Sequence, residues 1–159
     1  MDYLDVKFLH VASATAFFGA GLASALAKVW ADRSGNIGAI DAANRAVVRA
    51  DWIFTIPSAI LLPATGAWMV TRGSHAFADE WVRWGIGLYA VAGLCWLPAA
   101  WLQLRMRRVS REAVATGGPL PDAYRRLAMG WAILGIPAFA AALLTLYVMV
   151  ARRLPWLPS

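Results

Sequence analysis

Four long apolar runs divide the chain, near residues 3–30, 53–71, 81–104 and 127–150, with shorter polar stretches between them. A hydrocarbon core of about 30 Å takes roughly 20 helical residues, and each run reaches that length. The pattern predicts an all-α polytopic membrane protein, one integral domain over 1–159 built as a four-transmembrane-helix bundle. Segment 38–52 has a different character. There Ile40, Ala43, Val47 and Val48 share one helical face while Arg45 and Arg49 fall elsewhere, an amphipathic lead-in that can continue directly into the second span.

Inside the runs the polar positions follow helical spacing. His10, Ser13, Ala14, Phe17, Gly21, Ser24 and Lys28 form one stripe of the first span. Asp51, Thr55, Ser58, Leu62, Thr65, Met69 and Arg72 form one of the second, and Gly85, Tyr89, Ala92, Trp96, Ala99 and Gln103 one of the third. Small and polar stripes are expected to face protein, leaving the remaining surface to lipid. Pro57 and Pro63 lack the N–H groups that would bond the carbonyls of Ile53 and Ala59, so the second span should kink, with nearby Thr and Ser hydroxyls serving the freed oxygens. Pro98 should kink the third. The fourth, with Gly130, Gly135 and Pro137, offers packing and no evident chemistry. Gly19 with Ala23 and Gly21 with Ala25 are small pairs one turn apart, which predict self-association as a homo-oligomer.

Composition agrees with the lipid bilayer as the principal partner. The chain is 60% hydrophobic and 15% charged, against roughly 45–50% and 25% for soluble domains. Its 15 Lys and Arg outnumber 9 Asp and Glu, but they lie in short blocks between apolar runs and form no continuous basic face, which argues against nucleic acid. They read as topology signals. Ten of the fifteen follow the first and third runs and five lie on the other side, so both termini are expected outside, periplasmic or extracellular, in a bacterial inner membrane. Asp2 and Asp5 beside Lys7 do not make the basic start of a secretory signal, so the first run is expected to stay in the mature protein. Asp122, after the Gly-Pro turn, is placed to cap the fourth helix. Trp30, Trp52, Trp81, Trp84, Trp101 and Trp156 sit near span ends, where an indole can bury its ring and still hydrogen-bond. The lone cysteine, Cys95, supports neither a disulfide nor a thiolate metal motif within one chain.

Candidate chemistry gathers in the outer half. His10 lies about 10 Å into the first helix at 1.5 Å per residue, and Met69 and Tyr89 fall at comparable depth, with Arg72, His75 and Arg83 at the outer mouth. One reading is a haem b site: His10 as axial ligand, His75 or Met69 as the second, glycines beside the ring, and Arg72 and Arg83 for the propionates. Another is an interhelical hydrogen bond from His10 in a non-enzymatic membrane module, such as an assembly partner or a small permease subunit. Copper on His10, Met69 and His75 is a third. The inner half has no histidine, so a two-haem wire across the membrane is excluded. No paired carboxylates, Ser/His/Asp set, Walker loop or HExxH motif occurs, so no catalytic set is legible. A permease built from inverted repeats is not indicated either, because no internal repeat is visible.

The segments KFLHVASATAFFGAGLAS, RADWIFTIPSAILLPATGAW, YAVAGLCWLPAAWLQLRMRR and GWAILGIPAFAAALLTLYVMVA together resemble a family of bacterial integral membrane proteins classed as a domain of unknown function. The likeness spans nearly the whole chain and includes the Asp-Trp at Asp51 and the Cys-Trp-Leu-Pro from Cys95 to Pro98. More distantly, the Leu-His of the first span is similar to the start of HemJ-type protoporphyrinogen oxidases and copper-resistance D membrane proteins. That resemblance implies a haem b ligand at His10 alone. The oxidases add a lysine and a histidine in the third span, where this chain has only Arg83 and Gln103.

Overall fold

Helix α1 (Tyr3–Ser34) starts where Asp2 accepts a hydrogen bond from the Tyr3 amide at 2.6 Å and its own amide donates to Asp5 Oδ2 at 3.1 Å. This reciprocal pair satisfies N–H groups that a helix start leaves free. It ends at Gly35, whose φ of 66° is the left-handed conformation that glycine adopts without strain. Asn36 then caps α2 (Ile37–Ala50), taking the Ala39 amide at 3.0 Å. In this computed structural model, which describes residues 2–73 and 75–153, α2 continues through a π-helical turn (Asp51–Thr55) into α3 (Ile56–Arg72). The lead-in and the second span are thus one rod of 36 residues. The π turn stands next to Pro57: the Ile56 amide reaches back five residues to the Asp51 carbonyl, just before the proline that cannot continue the ladder.

Helices α4 (Glu80–Thr116) and α5 (Asp122–Ala151) complete the bundle. At 37 residues, α4 is about 55 Å long and outruns a hydrocarbon core of about 30 Å. The apolar run stops at residue 104, but the charged stretch beyond it is built of good helix formers. The helix ends only at Gly117, with φ of 64°. Asp122 is the first residue of α5 and makes no capping hydrogen bond. Pro121 occupies the cap position, and the carboxylate acts only as negative charge at a helix N-terminus.

Among the described residues, four helices are long and apolar enough to cross a membrane. Leu4, Phe8, Leu94, Ile136 and Val150 point outward, whereas Ser13, Thr55, Ser58, Thr65, Gly85, Ala92, Ala99 and Gln103 are buried. The expected stripes therefore do face protein. Trp30, Trp52, Trp84 and Trp101 are exposed at span ends, and Trp156 lies outside the described residues. Helix α1 packs on α3, and α4 on α5, with α2 wedged between α1 and α4 at the end rich in arginine. Across the bundle the spacing is wider. No Cα of α1 comes within 8 Å of α5, nor of α3 within 8 Å of α4. Side chains span those gaps: the Phe18 and Phe139 rings meet edge to face at 6.0 Å, and Tyr89 Oη donates to the Ala59 carbonyl at 2.6 Å. That carbonyl is the one Pro63 leaves without its helical donor, so a tyrosine from α4 serves where a hydroxyl of the same helix was expected.

The basic end is fastened by a buried polar network. Lys28 is 1% exposed; its ammonium pairs with Asp32, donates to Tyr124 Oη at 2.8 Å and lies over the Tyr124 and Trp131 rings. Tyr124 gives its proton to Asp32 Oδ1 at 2.8 Å and accepts from Asn44 Nδ2 at 3.1 Å. Asn44 also donates to Ser110 Oγ at 3.0 Å, and Ser110 donates to Asp41 Oδ1 at 3.0 Å. Arg45 pairs with the other Asp41 oxygen. Two cations and two carboxylates balance, and α1, α2, α4 and α5 each contribute. Ile40 and Met106 close over it with Tyr124. Of the expected apolar face of α2, Ile40, Val47 and Val48 are buried and Ala43 is partly so, but Asp41 and Asn44 are buried on it too.

Removing the hydroxyl in Tyr124→Phe should destabilise the protein by about 1–3 kcal/mol, since the buried Lys28 and Asn44 and the half-buried Asp32 each lose a partner. Tyr147→Phe, at an exposed tyrosine, should stay within about 0.5 kcal/mol; thermal unfolding in detergent measures both. Tyr89→Phe should cost about 1 kcal/mol in the native chain. In a Pro63→Ala background, where residue 63 regains an N–H for Ala59, the same change should cost clearly less. A double-mutant cycle by the same unfolding assay gives the coupling.

Candidate functional site

His10 lies on the protein-facing stripe of α1, half-buried against α3. Its Nδ1 stands 2.8 Å from Thr65 Oγ1, and Thr65 Oγ1 donates to the Leu61 carbonyl at 2.6 Å. A threonine hydroxyl has one proton. When that proton goes to Leu61, the imidazole donates, the ring hydrogen sits on Nδ1 and Nε2 keeps a free lone pair; when it turns to Nδ1, the imidazole accepts and Nε2 carries the hydrogen. Gly66, the next residue of α3, lies against this ring: a Cβ there would stand 3.4 Å from His10 Cε1, in van der Waals contact. The geometry thus supplies an interhelical hydrogen bond and, with the Thr65 proton on Leu61, an imidazole in the tautomer that can ligate a metal.

The other candidates occupy the same end without converging on one point. Met69 is half-buried one turn beyond Thr65 on α3. Tyr89 is engaged with Ala59. Arg72 is exposed and lies over Trp68 of its own helix at 5.9 Å. His75 sits in the loop before α4, where Nδ1 is 3.5 Å from Asp79 Oδ2 and the ring meets Trp81 edge to face at 5.2 Å. Arg83 is exposed in the first turn of α4. Among the described residues no three His, Cys, Asp or Glu side chains form a metal-binding group.

A second polar cluster stands at the basic end of the spans, at the π turn. With its amide oriented to suit both neighbours, Gln103 donates to Asp51 Oδ2 at 2.8 Å and accepts from Trp131 Nε1 at 3.1 Å. The basic residues that could pair with Asp51 from this end of the bundle include Lys28, Arg49 and Arg105. Instead Lys28 is held by Asp32, Arg105 lies over the Trp101 ring at 4.8 Å, and a neutral amide is the partner. Four residues on, Thr55 Oγ1 is buried beside the Asp51 carboxylate. Beside Asp51 a cleft of about 90 Å³ opens between the π turn and α4.

Sequence reasoning missed Asp32, Asp41, Asn44, Ser110 and Tyr124. A signal was available: the buried face of α4 continues from Gln103 through Met106, Ser110 and Ala113 at helical spacing. It was lost where the apolar run ended.

No curated protein and no solved structure matches the chain. Residues 4–153, nearly all of it, match the family described as "Predicted integral membrane protein (DUF2269)". With four membrane-length helices whose polar stripes turn inward, and that match over almost its full length, the chain belongs to this family of integral membrane proteins.

Proposed function

We propose that this membrane protein binds haem b at the end of the bundle that holds His10, with Nε2 of His10 as axial ligand, for a redox or haem-handling role. The observation that carries the reading is the hydrogen-bonded relay from His10 Nδ1 through Thr65 Oγ1 to the Leu61 carbonyl. Metal-ligating histidines almost always donate their other ring N–H to a fixed acceptor, which sets the tautomer and raises basicity. Intramembrane ionisable groups are also expensive, which favours a functional use. Met69 is the nearest candidate for a second ligand in sequence and depth. Arg72 and Arg83 are the cations of this end that can meet propionates. The haem supplies one-electron chemistry when bound; the chain's part is to aim the imidazole, exclude water with the apolar faces of α1 and α3, and keep the lone pair free.

The second reading makes the same contact purely structural, joining α1 to α3, and the 2.8 Å distance favours it equally. Glutamine separates the two, because its amide can donate to Thr65 yet does not ligate haem. Protein purified in detergent from haem-replete cells should show a Soret band. His10→Ala and His10→Gln should both lose it, with His10→Gln keeping most of the thermal stability. Thr65→Val should weaken haemin binding by about 10–100-fold. A colourless, folded wild type overturns the haem reading, and copper bound in its place would transfer His10 to the metal alternative.

Orientation belongs to the same reading. The His10 end is proposed to face outward in a bacterial inner membrane, because the arginine-rich turns gather at the opposite end. A reporter active only outside the cytoplasm, fused before residue 1, should be active; activity only for a fusion in the 117–121 turn would reverse the topology.

A further inference from the structure

Asp51 stands where α2 becomes α3, two residues after Arg49. Its carboxylate makes no ion pair among the described residues, and its one amide partner, Gln103, is locked by Trp131. The cleft of about 90 Å³ beside it is walled by Trp52 and Ile56 on one side and Trp96, Ala100 and Leu104 on the other, almost wholly apolar surface. Trp96 to Leu104 is about 12 Å of helix. The groove exists because the α3 and α4 backbones stay more than 8 Å apart and are bridged only by side chains. At its mouth, Trp52 is 67% and Trp101 55% exposed, the setting of a headgroup-level indole belt. Arg49, two residues before Asp51, and Arg105, next after Leu104, are both exposed.

An apolar slot at span level, a carboxylate without a cation at its polar end, and two exposed arginines nearby in the chain complement a molecule that carries an acyl chain and, in its headgroup, both an ammonium and a phosphate. We propose that this cleft is a binding site for an aminophospholipid such as phosphatidylethanolamine, whose primary ammonium hydrogen-bonds Asp51 while its phosphate meets Arg49 or Arg105 and one acyl chain lies between Ile56 and Trp96. A charge-assisted bond to a primary ammonium distinguishes it from the quaternary choline headgroup, which has no N–H to donate, and from anionic phosphatidylglycerol. The site is separate from the His10 region and does not depend on haem.

The test is native mass spectrometry of the detergent-purified full chain titrated with phosphatidylethanolamine, phosphatidylcholine and phosphatidylglycerol of identical acyl chains. Wild type should retain phosphatidylethanolamine at least about fivefold better than the other two, a preference of about 1 kcal/mol. Asp51→Asn, which keeps an acceptor for Gln103, should bring it down to their level. Ile56→Trp, which fills the slot and leaves Asp51 intact, should lower retention of all three and decides the matter if Asp51→Asn does not fold. No headgroup preference in wild type, a preference unchanged in Asp51→Asn, or retention unchanged in Ile56→Trp would each overturn the site.

Discussion

Lys28 sets the terms for the fold. An ammonium buried at the end of an apolar helix is tolerated only if its charge is matched and its protons are placed. Asp32 matches the charge from the next turn of the same helix, but Tyr124 and Trp131 must come from α5. Satisfying Tyr124 then brings Asn44 from α2, and satisfying Asn44 brings Ser110 from α4. The shortest acceptor of the Tyr124 proton is Asp32 and that of the Ser110 proton is Asp41, so the network has a direction as well as a composition. Apolar packing alone would leave the rotation of each rod loosely specified. The polar network specifies it.

The two candidate sites follow from what this network does and leaves undone. Between α1 and α3, close packing puts His10 against Thr65 and Gly66. Between α3 and α4, where no close packing occurs, Tyr89 and Gln103 reach across to a proline-orphaned carbonyl and to Asp51. One site is built by contact and the other by separation. Both lie along the rod of 36 residues that carries Pro57, Pro63 and the π turn, the irregular element of an otherwise regular bundle.

Much of the architecture was legible from apolar run length and stripe periodicity, because a bilayer forces helices and a bundle turns small and polar residues inward. His10, Thr65, Tyr89 and Gln103 were all on the right faces. Their partners were not legible. Tyr89 was read as a pocket residue, but its hydroxyl serves Ala59, since nothing in a linear pattern tells which helix will supply a missing donor. The partner of Asp51 is an amide, while Lys28 is held by an aspartate and Arg105 lies over an indole. Asp41, Asn44 and Ser110 lie past the apolar boundaries, where polar residues look solvated unless one knows that the helices continue and pack.

The spacing of the helices also has a mechanical consequence. Two helix pairs fastened at one end by the polar network and joined at the other by the short connection from α3 to α4 are pinned at both edges, so what can give between them is side-chain contact alone, at mid-depth.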